Sequence, residues 1–193
     1  PQRFICSSRE EARSALKKIP GATVVKILDP GVTHKTETGG VHLGIRTAKQ
    51  LAAALDQIDS INGGTRKKRY LVEAMAPPGL EVIVGARNDE NWGPVVLLGL
   101  GGTTAEVLED VSIRLASVSK TEAHAMIDEL KSSALFSGFR GTPQADKEAL
   151  ANIIVSVSRI VSEAPGVREI DLNPVRVYEK GAGALALDAL IVS

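Results

Sequence analysis

The stretch VVKILDPGVTHKTETGGVHLGI, residues 24–45, constrains this chain more than any other. It opens as a β-branched strand carrying one lysine, Lys26. It then runs through a loop of Pro, Gly, Thr, His and Lys and returns through Gly39-Gly40 into a second short strand. A lysine in such a run is costly to bury unless it meets an anion. A loop rich in Gly, Thr and backbone N–H donors is the kind of surface that holds phosphate oxygens. The pattern predicts a strand–loop–strand flap over the phosphates of a nucleotide. GVTHKT looks like the tail of a P-loop, but that motif needs Gly where His34 stands and opens a helix. Here the loop leads back into the strand VHLGI.

A chain of 193 residues suits one domain or two small lobes with a real core. Lys plus Arg and Asp plus Glu balance at 23 each, which gives no electrostatic case for nucleic acid or a membrane surface. Phe, Tyr and Trp number 3, 2 and 1, too few for a base-stacking platform. The single Cys6 excludes an intrachain disulfide and a cysteine-based zinc site, and fits a reducing compartment. No apolar run approaches the roughly 18 residues of a membrane span, and no basic-then-apolar leader marks secretion. The expected location is the cytoplasm. The chain opens with PQRFICSS rather than Met, as expected of a domain excised from a longer polypeptide.

Residues 1–75 read as a β-α-β-β-α-β lobe. Ser8 and Glu11 resemble a capping box ahead of a helix with Ala12, Ala15, Leu16 and Ile19 at helical spacing, and Pro20-Gly21 stops it. Thr47 caps a second helix with Leu51, Leu55 and Ile58 on one face. The cluster Arg66–Arg69 reads as a solvated turn, and Tyr70–Met75 as a strand. Ala76-Pro77-Pro78-Gly79 breaks that strand and begins a second lobe, residues 76–193. Here Leu80–Ala86 and Pro94–Leu100 read as strands and Ile113–Val118 as another. Helices start at Thr121 and Asp146, the second with an apolar stripe through Leu150, Ile154, Val157 and Val161. A hairpin closes the chain. The fold class is α+β. Strand plus GLGG is a poor dinucleotide fingerprint, because Thr104 takes the third-glycine position.

In REIDLNPVRVY, Ile170 and Leu172 point one way and Glu169, Asp171 and Asn173 the other. If the hairpin is symmetric about Lys180-Gly181, Asn173 and Asp188 face each other with Cβ atoms about 5 Å apart, and Asp171 lies along the same face. Oxygens from Asp, Asn and Asp suit magnesium beside phosphates. The same residues also suit the polar outer face of an edge hairpin, and Pro174 is able to break the register.

Taken in order, Lys26 in VVKI, His34-Lys35-Thr36, GGVHLG, LVEAM, GLEVIVG, GPVVLLGLGGTTAEVLEDV, GFRGTP and EIDLNPV with a late Asp188 resemble the ATP-grasp domain of NDP-forming acyl-CoA synthetases. That group includes the ADP-forming acetyl-CoA synthetases and is related to the succinyl-CoA synthetase β subunit. The resemblance covers essentially the whole chain. It implies an ATP-grasp fold of two α/β lobes with the nucleotide site between them, and ATP/ADP and Mg²⁺ as cofactors. It makes Lys26 the lysine that grips nucleotide phosphates and the flap from His34 through Lys35, Thr36, Gly39 and Gly40 the mobile loop over them. Glu73 and Met75 fall where the hinge receives adenine, largely through backbone groups. Glu81 matches an acid that contacts ribose or orders that site, and Asn173 and Asp188 match the Mg²⁺ ligands. Gly101, Gly102, Glu106 and Arg140 match segments bordering the site.

The implied activity is phosphoryl transfer between Mg-ATP/ADP and a phosphohistidine during conversion of acid, CoA and ATP to acyl-CoA, ADP and phosphate. His34 resembles a loop histidine proposed to help carry the phosphoryl group, and a neutral imidazole is nucleophilic near pH 7. The implied partner is a CoA-binding and phosphohistidine-bearing domain or subunit of the same synthetase, with no nucleic acid and no membrane. The chain lacks that Rossmann-like CoA domain, the main phosphohistidine segment and the helix that usually precedes the first strand. Two other readings stand beside this one: a nucleotide-sensing regulatory domain of a protein-lysine acetyltransferase fusion, and a carboxylate–amine ligase domain. Retention of Lys26, His34, Glu81, Asn173 and Asp188 counts against decay of the site, and the HKT…GGV flap counts against the ligase.

Overall fold

Alternation of apolar residues, helix caps and glycine turns divides the chain into two units, Pro1–Pro77 and Pro78–Ser193. The computed structural model describes residues 1–29, 31–32, 38–61, 69–102 and 109–193. No helix among them is long and apolar enough to cross a membrane.

The first unit is an antiparallel sheet of β1 (Arg3–Cys6), β4 (Tyr70–Ala74), β2 (Thr23–Ile27) and β3 (Val41–Ile45), in that order. Helices α1 (Arg9–Lys18) and α2 (Ala48–Ser60) supply its core: Ala12, Ala15, Leu51, Leu55 and Ile58 meet Val25, Ile27, Tyr70 and Val72. Ser8 accepts the Glu11 amide as the capping pattern predicts, but the Glu11 carboxylate takes the Ser7 amide rather than that of Ser8. Thr47 and Gln50 form a full capping box on α2. Arg9 on α1 binds Asp56 and Asp59 on α2, and the Tyr70 hydroxyl donates to Asp59. Burial and that carboxylate push the Tyr70 phenol up to about 12, so it remains a donor at neutral pH.

The second unit is an antiparallel sheet in the order β10 (Leu190–Val192), β8 (Glu169–Val177), β5 (Leu80–Asp89), β6 (Gly93–Leu100) and β7 (Val111–Leu115), with β9 (Ala184–Ala186) also pairing β8. Strand β7 ends at Leu115, short of the expected Val118, whose side chain is instead buried in the helical core. Helices α3 (Lys120–Glu129) and α4 (Lys147–Glu163) cover one face. Val82, Val84, Val96, Leu98, Ile170, Val175 and Val177 pack there with Met126, Ile127, Leu150, Ile154 and Phe136. Among the described residues, no helix of this unit covers the other face.

Asp146 ties the helical layer to the hairpin. It is 7% exposed, and its carboxylate accepts the Ala149 amide at 3.0 Å, capping α4, and the Gly181 and Gly183 amides at 2.9 Å each, fixing the β8–β9 turn. The Ala149 amide, then Gly183 and Gly181, hold this carboxyl below the usual range. A depressed folded pKa gives stability that is present above the unfolded value of about 3.9 and is lost as pH falls through the folded value. We expect Asp146→Ala to lower stability at pH 7 by about 2–4 kcal/mol, a lost cap plus amides left without an acceptor. Urea unfolding followed by helical circular dichroism checks this, and the gap to wild type should narrow below pH 4.

Candidate functional site

In the first unit, strict alternation puts Val25 and Ile27 in the helical core and Val24 and Lys26 on the other face. Val24 pairs with Glu73 and Lys26 with Leu71, so Lys26 and Glu73 are diagonal neighbours on one face. Their Nζ and Oε1 atoms are 2.7 Å apart. Both are buried, Lys26 at 8% and Glu73 at 6% exposure. Glu73 is thus a close counter-ion of the buried lysine, which neither residue's position in sequence announces. The Met75 side chain is exposed, and its amide donates to the Ala22 carbonyl at 2.9 Å. The backbone reading expected at Met75 therefore falls to its carbonyl. Gly39 lies at φ +73°, where a side chain is strained, and Gly40 offers its carbonyl to the Ile27 amide. His34, Lys35 and Thr36 lie outside the described residues, as does Glu106.

In the second unit, one register governs both ladders of β8. Val175 pairs with Ala186 in β9, Asp171 pairs with Leu190 in β10, and the Leu187 amide donates to the Pro174 carbonyl. Asn173 and Asp188 occupy the facing positions between those pairs, with Asp171 two residues along β8. The symmetry about Lys180-Gly181 is therefore the one observed. Against β5 the register slips: Val82 pairs with Val175 but Val84 with Leu172, so Asn173 and Pro174 stand opposite Ile83 alone. This is a β-bulge. Asp188 Oδ1 also accepts the Ala189 amide, a turn that aims the carboxylate.

Glu81 begins the open face on β5 and is ion-paired with Arg176, directly opposite on β8. The Gly101 amide donates to the Glu81 carbonyl at 2.8 Å, and a Cβ on Gly101 would sit 2.8 Å from the Glu81 carbonyl carbon. Gly102 follows at φ +91°. Beyond Asp171, a groove of about 650 Å³ continues along the face over Ile83, Leu97, Ile113 and Leu115. Arg140 lies over the Phe139 ring at 5.3 Å, and His124 pairs with Glu148 as a surface helix residue.

No group of three His, Cys, Asp or Glu side chains suited to a metal occurs among the described residues. A hard cation at Asn173 and Asp188 would take an amide oxygen, a carboxylate, and the phosphates or water of a ligand. That donor set fits magnesium bound with a nucleotide rather than a protein-only cage.

A family model described as an ATP-grasp domain matches residues 1–192. The chain is 37% identical, over all of its length, to a trans-feruloyl-CoA synthase from an unknown prokaryote, of which it spans 28%. It is 36% identical over its whole length to the β subunit of the ADP-forming acetate–CoA ligase I of Pyrococcus furiosus, of which it spans 84%. Among solved structures, it is 37% identical, with a TM-score of 0.80, to the dinucleotide-forming acetyl-coenzyme A synthetase 1 of Ca. Korarchaeum cryptofilum, covering 100% of this chain and 84% of that one. That structure holds coenzyme A and Mg-AMPPCP, with a phosphohistidine segment pointing towards the nucleotide binding site. The chain belongs to the ATP-grasp family of the ADP-forming acyl-CoA synthetases.

The buried pair predicts its own test. Glu73→Ala removes the carboxylate held 2.7 Å from a buried ammonium, at a cost of about 3–5 kcal/mol. The double variant Glu73→Ala/Lys26→Met should recover most of this in urea unfolding, because both charges are then gone.

Proposed function

We propose that this chain is the nucleotide-binding part of an ADP-forming acyl-CoA synthetase, transferring a phosphoryl group between Mg-ATP/ADP and a phosphohistidine while acid, CoA and ATP become acyl-CoA, ADP and phosphate. The observation that carries the reading is the facing pair Asn173 and Asp188 in the terminal hairpin, with Asp171 two residues along β8. The Korarchaeum structure, with Mg-AMPPCP and a phosphohistidine segment, supports the same chemistry.

Lys26 supplies a fixed positive charge for nucleotide phosphates, and Glu73 keeps that charge affordable inside the unit. Asn173 and Asp188 hold the magnesium, which when bound neutralises charge on the phosphate oxygens. The flap residues Lys35, Thr36, Gly39 and Gly40 contribute donors to those oxygens. The Met75 carbonyl reads the base, and Glu81 accepts hydrogen bonds from the ribose. In the transfer, an imidazole nitrogen bonds to the γ-phosphorus as the bond from that phosphorus to the ADP oxygen breaks. Positioning and charge neutralisation do most of the work in such a step. His34 in the flap is the histidine of this chain assigned to help carry the group. The CoA-binding and phosphohistidine-bearing part belongs to a partner domain or subunit, and the working compartment is the cytoplasm.

Calorimetric titration with ADP and ATP, with and without Mg²⁺, tests the assignment. Binding should require Mg²⁺ for full affinity. Lys26→Ala and Asn173→Ala/Asp188→Ala should each weaken it by about 10- to 100-fold, the worth of charged hydrogen bonds. Binding indifferent to Mg²⁺ and to both variants would remove the site from these residues.

A further inference from the structure

Arg176 is assigned no role by anything above, yet it faces the proposed site. Its direction is set by the bulge. Ile170 and Leu172 pack toward the helices, and uninterrupted alternation would send position 176 to that same apolar side. Because Asn173 and Pro174 together oppose Ile83, Val175 and Val177 take the core positions and Arg176 returns to the open face. There its Nη2 donates to Glu81 Oε1 across the strand pair. The Arg176 side chain is 16% exposed and that of Glu81 33%.

The backbones around the pair are closed in by two glycines. A Cβ on Gly79 would meet Val177 O at 2.7 Å and Arg176 Cγ at 2.8 Å, and one on Gly101 would meet the Glu81 carbonyl carbon and oxygen at 2.8 and 2.9 Å. Any side chain at either position would push the β5 end or the Arg176 stem aside. Arg176 stands three positions beyond Asn173 on the same strand, across the bulge.

We propose that Arg176 is a positioning residue that holds the Glu81 carboxylate toward the ribose hydroxyls and so sets preference for ribonucleotides over deoxyribonucleotides. The proposal rests on the nucleotide site argued above. A charge-assisted hydrogen bond from Nη2 to one carboxylate oxygen stops the group from rotating away, and the carboxylate then accepts from the sugar while already ordered. A carboxylate without that bond samples several rotamers and discriminates less.

The test compares ADP with 2′-deoxy-ADP and 3′-deoxy-ADP on the intact protein by calorimetry in Mg²⁺. Wild type should favour ADP over at least one deoxy analogue by about tenfold or more, the value of a hydrogen bond to a charged group. Arg176→Met should bring that ratio close to one while Mg²⁺ still strengthens binding, and Arg176→Lys should fall between. In a Glu81→Ala background, Arg176→Met should change the ratio no further. An unchanged ratio in Arg176→Met, an equal loss for all three nucleotides, or a further change in the Glu81→Ala background would each overturn the role. Failure of wild type to bind ADP would instead strike the nucleotide site itself, and this inference with it.

Discussion

One extra residue in β8 decides which side chains the large unit shows to a ligand. Asn173 and Pro174 share a single partner, Ile83, and the alternation of inward and outward side chains is shifted beyond them. The residues before the bulge put Ile170 and Leu172 into the helical core and leave Asp171 on the open face. Those after it bury Val175 and Val177 and turn Arg176 outward. A straight strand would have forced a choice between a buried arginine and exposed valines. The bulge avoids both and puts Glu81 and Arg176 on the same face as Asp171, with the opposing β9–β10 arm still in a single register.

The two units handle charge in different ways. Lys26 and Glu73 are buried together as an ion pair, so removing either one takes away a close opposite charge in a desolvated setting. The Arg87–Asp89 and Lys147–Asp128 pairs carry a largely exposed partner and contribute little to stability. Asp146 belongs with the buried class, but its compensation is neutral: three backbone amides from α4 and the hairpin turn. It joins the layer that covers the sheet to the turn whose arms carry Asn173 and Asp188.

Much of this was legible in the sequence because the signals are local. Helix starts at Ser8, Thr47 and Asp146 follow from side chains that cap their own helices. The facing of Asn173 and Asp188 follows from the centre of one tight hairpin, since a turn fixes the register of both arms. Less visible was Glu73 as the lysine's counter-ion, because that contact crosses between β2 and β4, strands with β3 and α2 between them in the chain. Arg176 escaped notice for a related reason: read with period two, it falls on the apolar side of its strand.

The sequence alone determined the elements, the family and the oxygen pair of the terminal hairpin, because each depends on neighbours close along the chain or on an ordered set of short motifs. Only the tertiary structure decided how β8 sits against β5, and hence the bulge, the outward turn of Arg176 and its ion pair with Glu81. Those strands lie some ninety residues apart (Glu81 and Arg176 are separated by 95 positions). Their register is set by the packing of two sheet faces and the helices above them, which no local pattern encodes.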